Sequence, residues 1–240
     1  MRNWIYILFL LLVFSCDDAL FNEGDIITKD IDIADFENIY VKDIFDIYLL
    51  QDTVCKIQAK GGSNLLSNLE FNVDNEKKLT IDDNNSARWS RDYDRIKLYI
   101  SVDTLRWFEL KAPSNVSCID TLLTPHVTFL SIDDYSEMDI LLKSDYCYIV
   151  NSGTSGGIFT IKGKTNIFNF WARASYKINA QDFIANKTTV KSESIGNCYI
   201  HANEYINVEI LNDGNIYYTG SPETIEYVND GAREQLIKLD

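Results

Sequence analysis

The segment Gly153-Thr154-Ser155-Gly156-Gly157 matches G-x-S-x-G, the pattern that presents the nucleophilic serine of many hydrolases. That serine works only where a strand, a sharp turn and a helix expose its hydroxyl to a general base. Here the segment is one of a series of polar turns, so its glycines are read as turn residues that accept positive φ. The chain has 2 histidines, His126 and His201. His126 follows Pro125 in a connection and His201 lies beside a strand end, and both are read as surface side chains. The densest acids are Asp133, Asp134, Glu137 and Asp139. Carboxylate oxygens suit Ca²⁺, but this spacing fits neither an EF-hand nor a glycine-rich calcium repeat, so a solvated acidic face is expected. A glycosidase would need two carboxylates paired in a groove, and among 36 acids some pair arises by chance. There is no CxxC, no HExxH and no Gly-rich phosphate loop. The expectation is a chain without catalytic residues, resident metal or cofactor.

Aromatic residues give a hint of binding instead. Alternation in IFNFWARASY (167–176) sends Phe168 and Phe170 inward and Trp171 outward, beside Arg173. Trp89 lies in a polar stretch with Arg91 and Tyr93. Exposed Trp and Tyr next to Arg suit contact with a glycan or a protein, so Trp89, Arg91, Tyr93, Trp171 and Arg173 are the candidate ligand contacts. Packing against a loop or a neighbouring coil is the alternative for the same residues. Asp52-Thr53-Val54, Asp103-Thr104-Leu105 and Asp120-Thr121-Leu122 resemble an acceptor for O-glycosylation used by some Gram-negative bacteria.

These residues need a framework, and composition limits which one. The 240 residues carry 22 Lys and Arg against 36 Asp and Glu, a net charge of −14. A chain this acidic repels phosphate backbones, so no nucleic acid is expected as a partner. Aromatic residues make up 12% and hydrophobic residues 46%, enough for a packed body with β character. Residues 1–15 combine Arg2, an apolar run from Ile5 to Phe14 and Ser15, the layout of a secretory signal and too short to span a bilayer. Val13-Phe14-Ser15-Cys16 resembles the lipobox of bacterial lipoproteins, in which the cysteine becomes the lipidated first residue. A plain signal peptide cleaved nearby, or an uncleaved anchor, are the alternatives. On the lipoprotein reading Cys16 is the lipidation site and the membrane is a partner through it. Residues 16–27 are then an acidic tether, and Asp17 and Asp18 suit an outer-membrane lipoprotein facing the periplasm or the cell surface.

The second half repeats. Leu110, Ile132, Val150, Phe170, Val190 and Ile210 form an apolar column at steps of 18 to 22 residues. Polar turns lie between, among them APSN (112–115), SGTSGG (152–157) and NDGN (212–215). A period of about 20 residues made of short strands and turns is the signature of a β-solenoid, whose coils stack at about 4.8 Å. An antiparallel sandwich is the structural alternative. Residues 28–107 are also strand-rich, and GGSNLLSNLEF (61–71) predicts one short helix capped by Ser63 or Asn64. Cys55, Cys118, Cys147 and Cys198 remain after Cys16. Cys118 and Cys198 fall four coils apart, on the order of 19 Å, whereas a disulfide needs Cα atoms within about 7 Å. Buried free thiols are therefore expected.

The order of DFENIYVKDIFDIYLLQ (35–51), GGSNLLSNLEFNV (61–73), KKLTI (77–81), IKLYISVDTLRWFELKAPSNV (96–116), the coils and GNIYYTGSPETIEYVNDG (214–231) resembles the head GIN domain family, named for auto-transporter adhesins. The resemblance runs from Thr28 to Asp240, with bulkier turns at SESIGN and DDYSEMD. It implies a right-handed, parallel β-helix-like fold on a secreted or lipid-anchored protein, and it brings no catalytic residues. The reading is thus all-β, with one solenoid domain over residues 28–240. Its function is non-catalytic, either adhesion or recognition of a glycan or protein at the cell envelope. A periplasmic structural or stress-sensing lipoprotein is the alternative, and a polysaccharide-acting enzyme the third. Nothing in the sequence fixes an oligomeric state.

Overall fold

Alternation of apolar and polar residues dictates the local structure. In Lys97–Val102 and Tyr205–Ile210 every second side chain is buried, as a strand with one face on a core requires. A computed structural model describes residues 23–85 and 94–239. It is nearly all β, with 61% strand and 4% helix, wound into a solenoid of about 6 turns with coils of about 21 residues. The coil strands pair in parallel, which excludes the antiparallel sandwich.

Each coil supplies strands to three faces. On the first face the inward column runs Leu79, Ile39, Phe108, Phe129, Ile149, Phe170, Val190 and Val208, each at most 2% exposed. On the second face Leu98, Ile47, Val116, Met138 and Phe159 stack in the same way. The third face is shorter, with Leu122, Leu142, Gly163 and Phe183 in register. Aromatic rings interlock along the axis. Phe129 meets Phe159 edge-on at 5.2 Å, and Phe168 meets Phe183 edge-on at 5.3 Å.

Stacking order departs from chain order at the N-terminal end. The coil of Asn38–Val41 and Asp46–Gln51 lies between the later strands Lys78–Asp83 and Lys97–Val102 on one side and Trp107–Leu110 and Asn115–Cys118 on the other. Glu37 ties this nested coil to both neighbours, accepting hydrogen bonds from Lys77 Nζ at 2.6 Å and Arg106 Nε at 2.6 Å. Those two bonds hold its carboxyl below the usual range. Antiparallel strands close this end: Lys56–Gly62 on Lys97–Val102, Ile26–Ile31 on Lys56–Gly62, and Leu69–Val73 on Lys78–Asp83. The strand from Ile26 includes the last two residues of the segment read as tether.

Three sequence readings need correction. The column drawn through Leu110, Ile132, Val150, Phe170, Val190 and Ile210 mixes positions: Ile132 lies three residues past Phe129, Val150 one past Ile149, and Leu110 and Ile210 align with Ser131 and Ser192. Phe129 and Ile149 occupy the buried positions, while Ile132 is 43% exposed and Val150 pairs with Trp171. Successive steps from Phe108 to Tyr227 run 21, 20, 21, 20, 18 and 19 residues, so a constant spacing drifts, and one residue of drift turns a side chain to the other face. The expected helix is present at Ser63–Leu66, but its N-cap is Gly62 and no side chain caps it. A second helix, Gly231–Gln235, was not expected, and it seals the C-terminal end by burying Ala232. The four described cysteines are free thiols. Burial pushes Cys198 up to about 12.

Gly163 turns the chain between faces with φ +118, and a Cβ there would collide with the Leu142 carbonyl of the coil below. Gly163→Ala and Phe168→Ala should each weaken the fold, the latter by about 3–5 kcal/mol in denaturant melts through the cavity it leaves. A loss under about 1 kcal/mol for Phe168→Ala would contradict the packing described.

Candidate functional site

The G-x-S-x-G segment sits between the strands Tyr146–Asn151 and Gly156–Asn179, a strand–turn–strand and not a strand–turn–helix. Ser155 is buried, with its hydroxyl 2.6 Å from that of Ser152. Asn151, fully buried, organises this corner. Its amide donates to the carbonyls of Ser152, Ser155 and Arg173, and its own oxygen accepts from the Arg173 N–H at 2.8 Å. These bonds satisfy turn backbone that has left the sheet ladder. His126 is exposed beside Tyr146, and His201 is held between Thr219 and Asn203.

The acids at 133–139 divide by the pleat. Asp134, Glu137 and Asp139 are exposed, whereas Asp133 is buried and accepts from Ser131 Oγ at 2.5 Å. Its second oxygen has no partner among the described residues. Burial pushes Asp133 up to about 6, and it also pushes the neighbouring, fully buried Tyr176 phenol upward. Among the described residues no three His, Cys, Asp or Glu side chains converge as a metal site.

Trp171 and Arg173 do come together. The guanidinium lies 3.2 Å from the centre of the indole, with Lys191 at 4.7 Å. Both cations are in turn held by Glu193, and Lys191 also by Glu209. The ring is therefore covered by its own chain's cations on the first face. Trp89, Arg91, Tyr93 and Cys16 lie outside the described residues. Thr53 and Thr121 of the Asp-Thr-apolar triplets are exposed and Thr104 is half-buried.

Sequence reading missed a stacked aromatic pair on the surface. On the outside of the second face Tyr99, Tyr48, Ser117, Asp139 and Thr160 form one row in register. The Tyr48 and Tyr99 rings stack at 4.9 Å and 15°, raising a ridge on this face. A groove of about 360 Å³ runs along the Tyr48 side over Asn115, Ser117, Glu137 and Asp139. A second, of about 490 Å³, runs along the Tyr99 side over Asp30, Leu50, Asp52 and Gln58. Farther along the same face Asn179 is followed by a second stacked pair, Tyr199 and Tyr217 at 5.1 Å. Each of these tyrosines stands in the polar phase of its strand, which sequence alone shows. That Tyr48 meets Tyr99 depends on the nested coil, which sequence alone does not show.

With this geometry in place, the match to a family model is decisive: residues 35–222 fit the model described as "Putative auto-transporter adhesin, head GIN domain". The chain belongs to the head GIN domain family. Solved structures of the same fold agree. A "putative adhesin" from Bacteroides fragilis superposes with a TM-score of 0.75 at 19% identity, covering 90% of this chain and 94% of that one. A "putative lipid binding protein" from Parabacteroides distasonis gives 0.64 at 17%, covering 90% and 98%. A "putative adhesin" from Parabacteroides merdae gives 0.60 at 16%, covering 90% and 94%. At these identities the likeness shows the fold. No curated protein matches the sequence.

Asp133 gives this GIN domain a pH signature. Its folded-state proton affinity exceeds the ordinary value of 3.8, so its contribution to stability is full below about pH 4 and is lost as pH rises through about 6. Asp133→Asn should therefore raise the melting temperature at pH 8, by the equivalent of on the order of 2 kcal/mol, and change it little at pH 4. A difference that did not vary with pH would show that Asp133 is not the buried acid described.

Proposed function

We propose that this chain is a non-catalytic recognition module of the bacterial envelope, held to a membrane by lipid on Cys16. It presents the side of its solenoid to a glycan or protein ligand. The observation that carries this reading is the tyrosine ridge between two grooves on the broad second face. Rigid aromatic rings beside short polar side chains are what recognition surfaces use, because tyrosine gives large contact area at small entropic cost. The adhesin description of the family supports an envelope role. Among the described residues no helix is long and apolar enough to cross a membrane. On this reading the acidic stretch after Cys16 sets the domain off from the bilayer, and the acyl chains supply the anchor. An outer-membrane lipoprotein, exposed at the surface, follows from adhesion.

Antibody labelling of intact cells, with a periplasmic protein as control, tests the placement. The expected result is labelling of the solenoid on unbroken cells, and release of a Cys16→Ala variant into the soluble fraction. Labelling only after the outer membrane is opened would overturn surface adhesion and favour a periplasmic partner. Retention of Cys16→Ala in the membrane fraction would overturn the lipid anchor.

A further inference from the structure

We propose that the Tyr48–Tyr99 ridge is a binding site for a neutral oligosaccharide, one sugar ring lying against each outer tyrosine face. This deepens the recognition reading and rests on it.

The geometry of the pair is the starting point. Tyr48 and Tyr99 are direct partners in a parallel register, so their rings are held face to face, and each inner face is used up by the other. The two outer faces are the ones left, and each lines a groove. A stack of this kind is pre-organised, since neither ring can turn without losing the other, and little side-chain entropy is left to lose on binding.

Sugar chemistry matches what surrounds the rings. One face of a pyranose is rich in C–H and seeks an aromatic ring, while its rim of hydroxyls seeks short polar groups. Beside Tyr48 stand Asn115, Ser117 and Asp139, and beside Tyr99 stand Asp30 and Gln58. Asp139 has no hydrogen-bond or ion-pair partner among the described residues, which leaves both its oxygens to accept from hydroxyls. Asn115 bonds Asp46 at 3.0 Å, and Gln58 bonds Asp30 at 2.7 Å, so these side chains are already oriented.

Charge selects among glycans. Asp46, Glu137 and Asp139 line one groove and Asp30 and Asp52 the other. Two nearby cations are paired with these acids, Arg95 with Asp46 at 3.8 Å and Lys56 with Asp52 at 3.7 Å. Asp30, Glu137 and Asp139 are left without an ion pair among the described residues, so a sulfated, sialylated or phosphorylated chain would meet net negative charge at short range, and a neutral one would not. Both grooves are lined by carboxylates, whereas the cores of protein interfaces are depleted of charge.

The test uses the purified protein on an array of neutral oligosaccharides (gluco-, manno-, xylo-, galacto- and N-acetylhexosamine oligomers) beside sulfated and sialylated ones. Titration calorimetry with the tightest neutral oligomer follows. The expected result is binding to neutral chains only. Tyr48→Ala and Tyr99→Ala should each weaken it at least tenfold, and Asp139→Ala should weaken it several-fold. Tyr48→Phe, which keeps the ring, should stay within about threefold, since most of the contact is stacking. Circular dichroism melts of each variant separate lost binding from lost fold, and the Tyr48→Phe result stands even if an alanine variant unfolds. Binding that survives both tyrosine variants and fails in Trp171→Ala would move the site to the first face and overturn the proposal. So would preference for anionic chains, or no binding to any neutral oligomer at millimolar concentration. If cells label at the surface and no oligosaccharide binds, the recognition reading stands and this site falls. If neutral chains bind and cells do not label, the site stands and the surface placement falls.

Discussion

Parallel, in-register stacking of coils is the interaction on which everything else depends. A single coil of about 21 residues cannot bury its own apolar side chains. Phe129 is covered because Phe108 lies on one side and Ile149 on the other, and the same holds up and down the inward columns. Backbone hydrogen bonds run along the axis and side-chain contacts follow them. The turns are secondary to this, and polar corners such as Asn151 exist to satisfy the backbone that must leave the ladder between faces.

The same stacking that buries one set of residues lines up the other set outside. Inward positions must be apolar and well packed, which leaves them little freedom. Outward positions are held at fixed spacing but are free in type. The two faces use that freedom differently. On the first face Trp171, Arg173, Lys191, Glu193 and Glu209 neutralise one another and close their own surface. On the second face small and acidic residues leave the tyrosine faces open. Recognition in such a fold is a property of rows, and no single residue's environment reveals it.

That explains what could be read from the sequence and what could not. Strand alternation in Lys97–Val102 and the helix at Ser63–Leu66 are local, and a local pattern suffices to find them. The solenoid is legible because about 20 residues recur. The phase of each coil is not, because steps vary from 18 to 21 and a single residue reverses the face of Val150. The C-terminal helix Gly231–Gln235 buries Ala232 alone, so it lacks the apolar pair, Leu65 and Leu66, that marks the first helix. The site is the least legible part, since Tyr48 and Tyr99 stand in different coils brought together by a chain that doubles back. Trp171 and Arg173, close in sequence, were easier to find, and they face each other.

The doubling back also orders the birth of the molecule. Coils after residue 128 can be laid down one at a time, each upon a finished neighbour, as the chain leaves the ribosome. The coil at 38–51 has no such option, because the strands on both its sides, Lys78–Asp83 with Lys97–Val102 and Trp107–Leu110 with Asn115–Cys118, are made after it. It must wait for some seventy more residues before its two sides are covered, and the tyrosine ridge cannot form until the strand of Tyr99 has been made. The strands between Ile26 and Cys118 pair out of chain order and so complete one another as a group, and the later coils are additions to it. A coil added or removed among the later ones would leave the pairings of the nested coil, and with them the ridge, untouched.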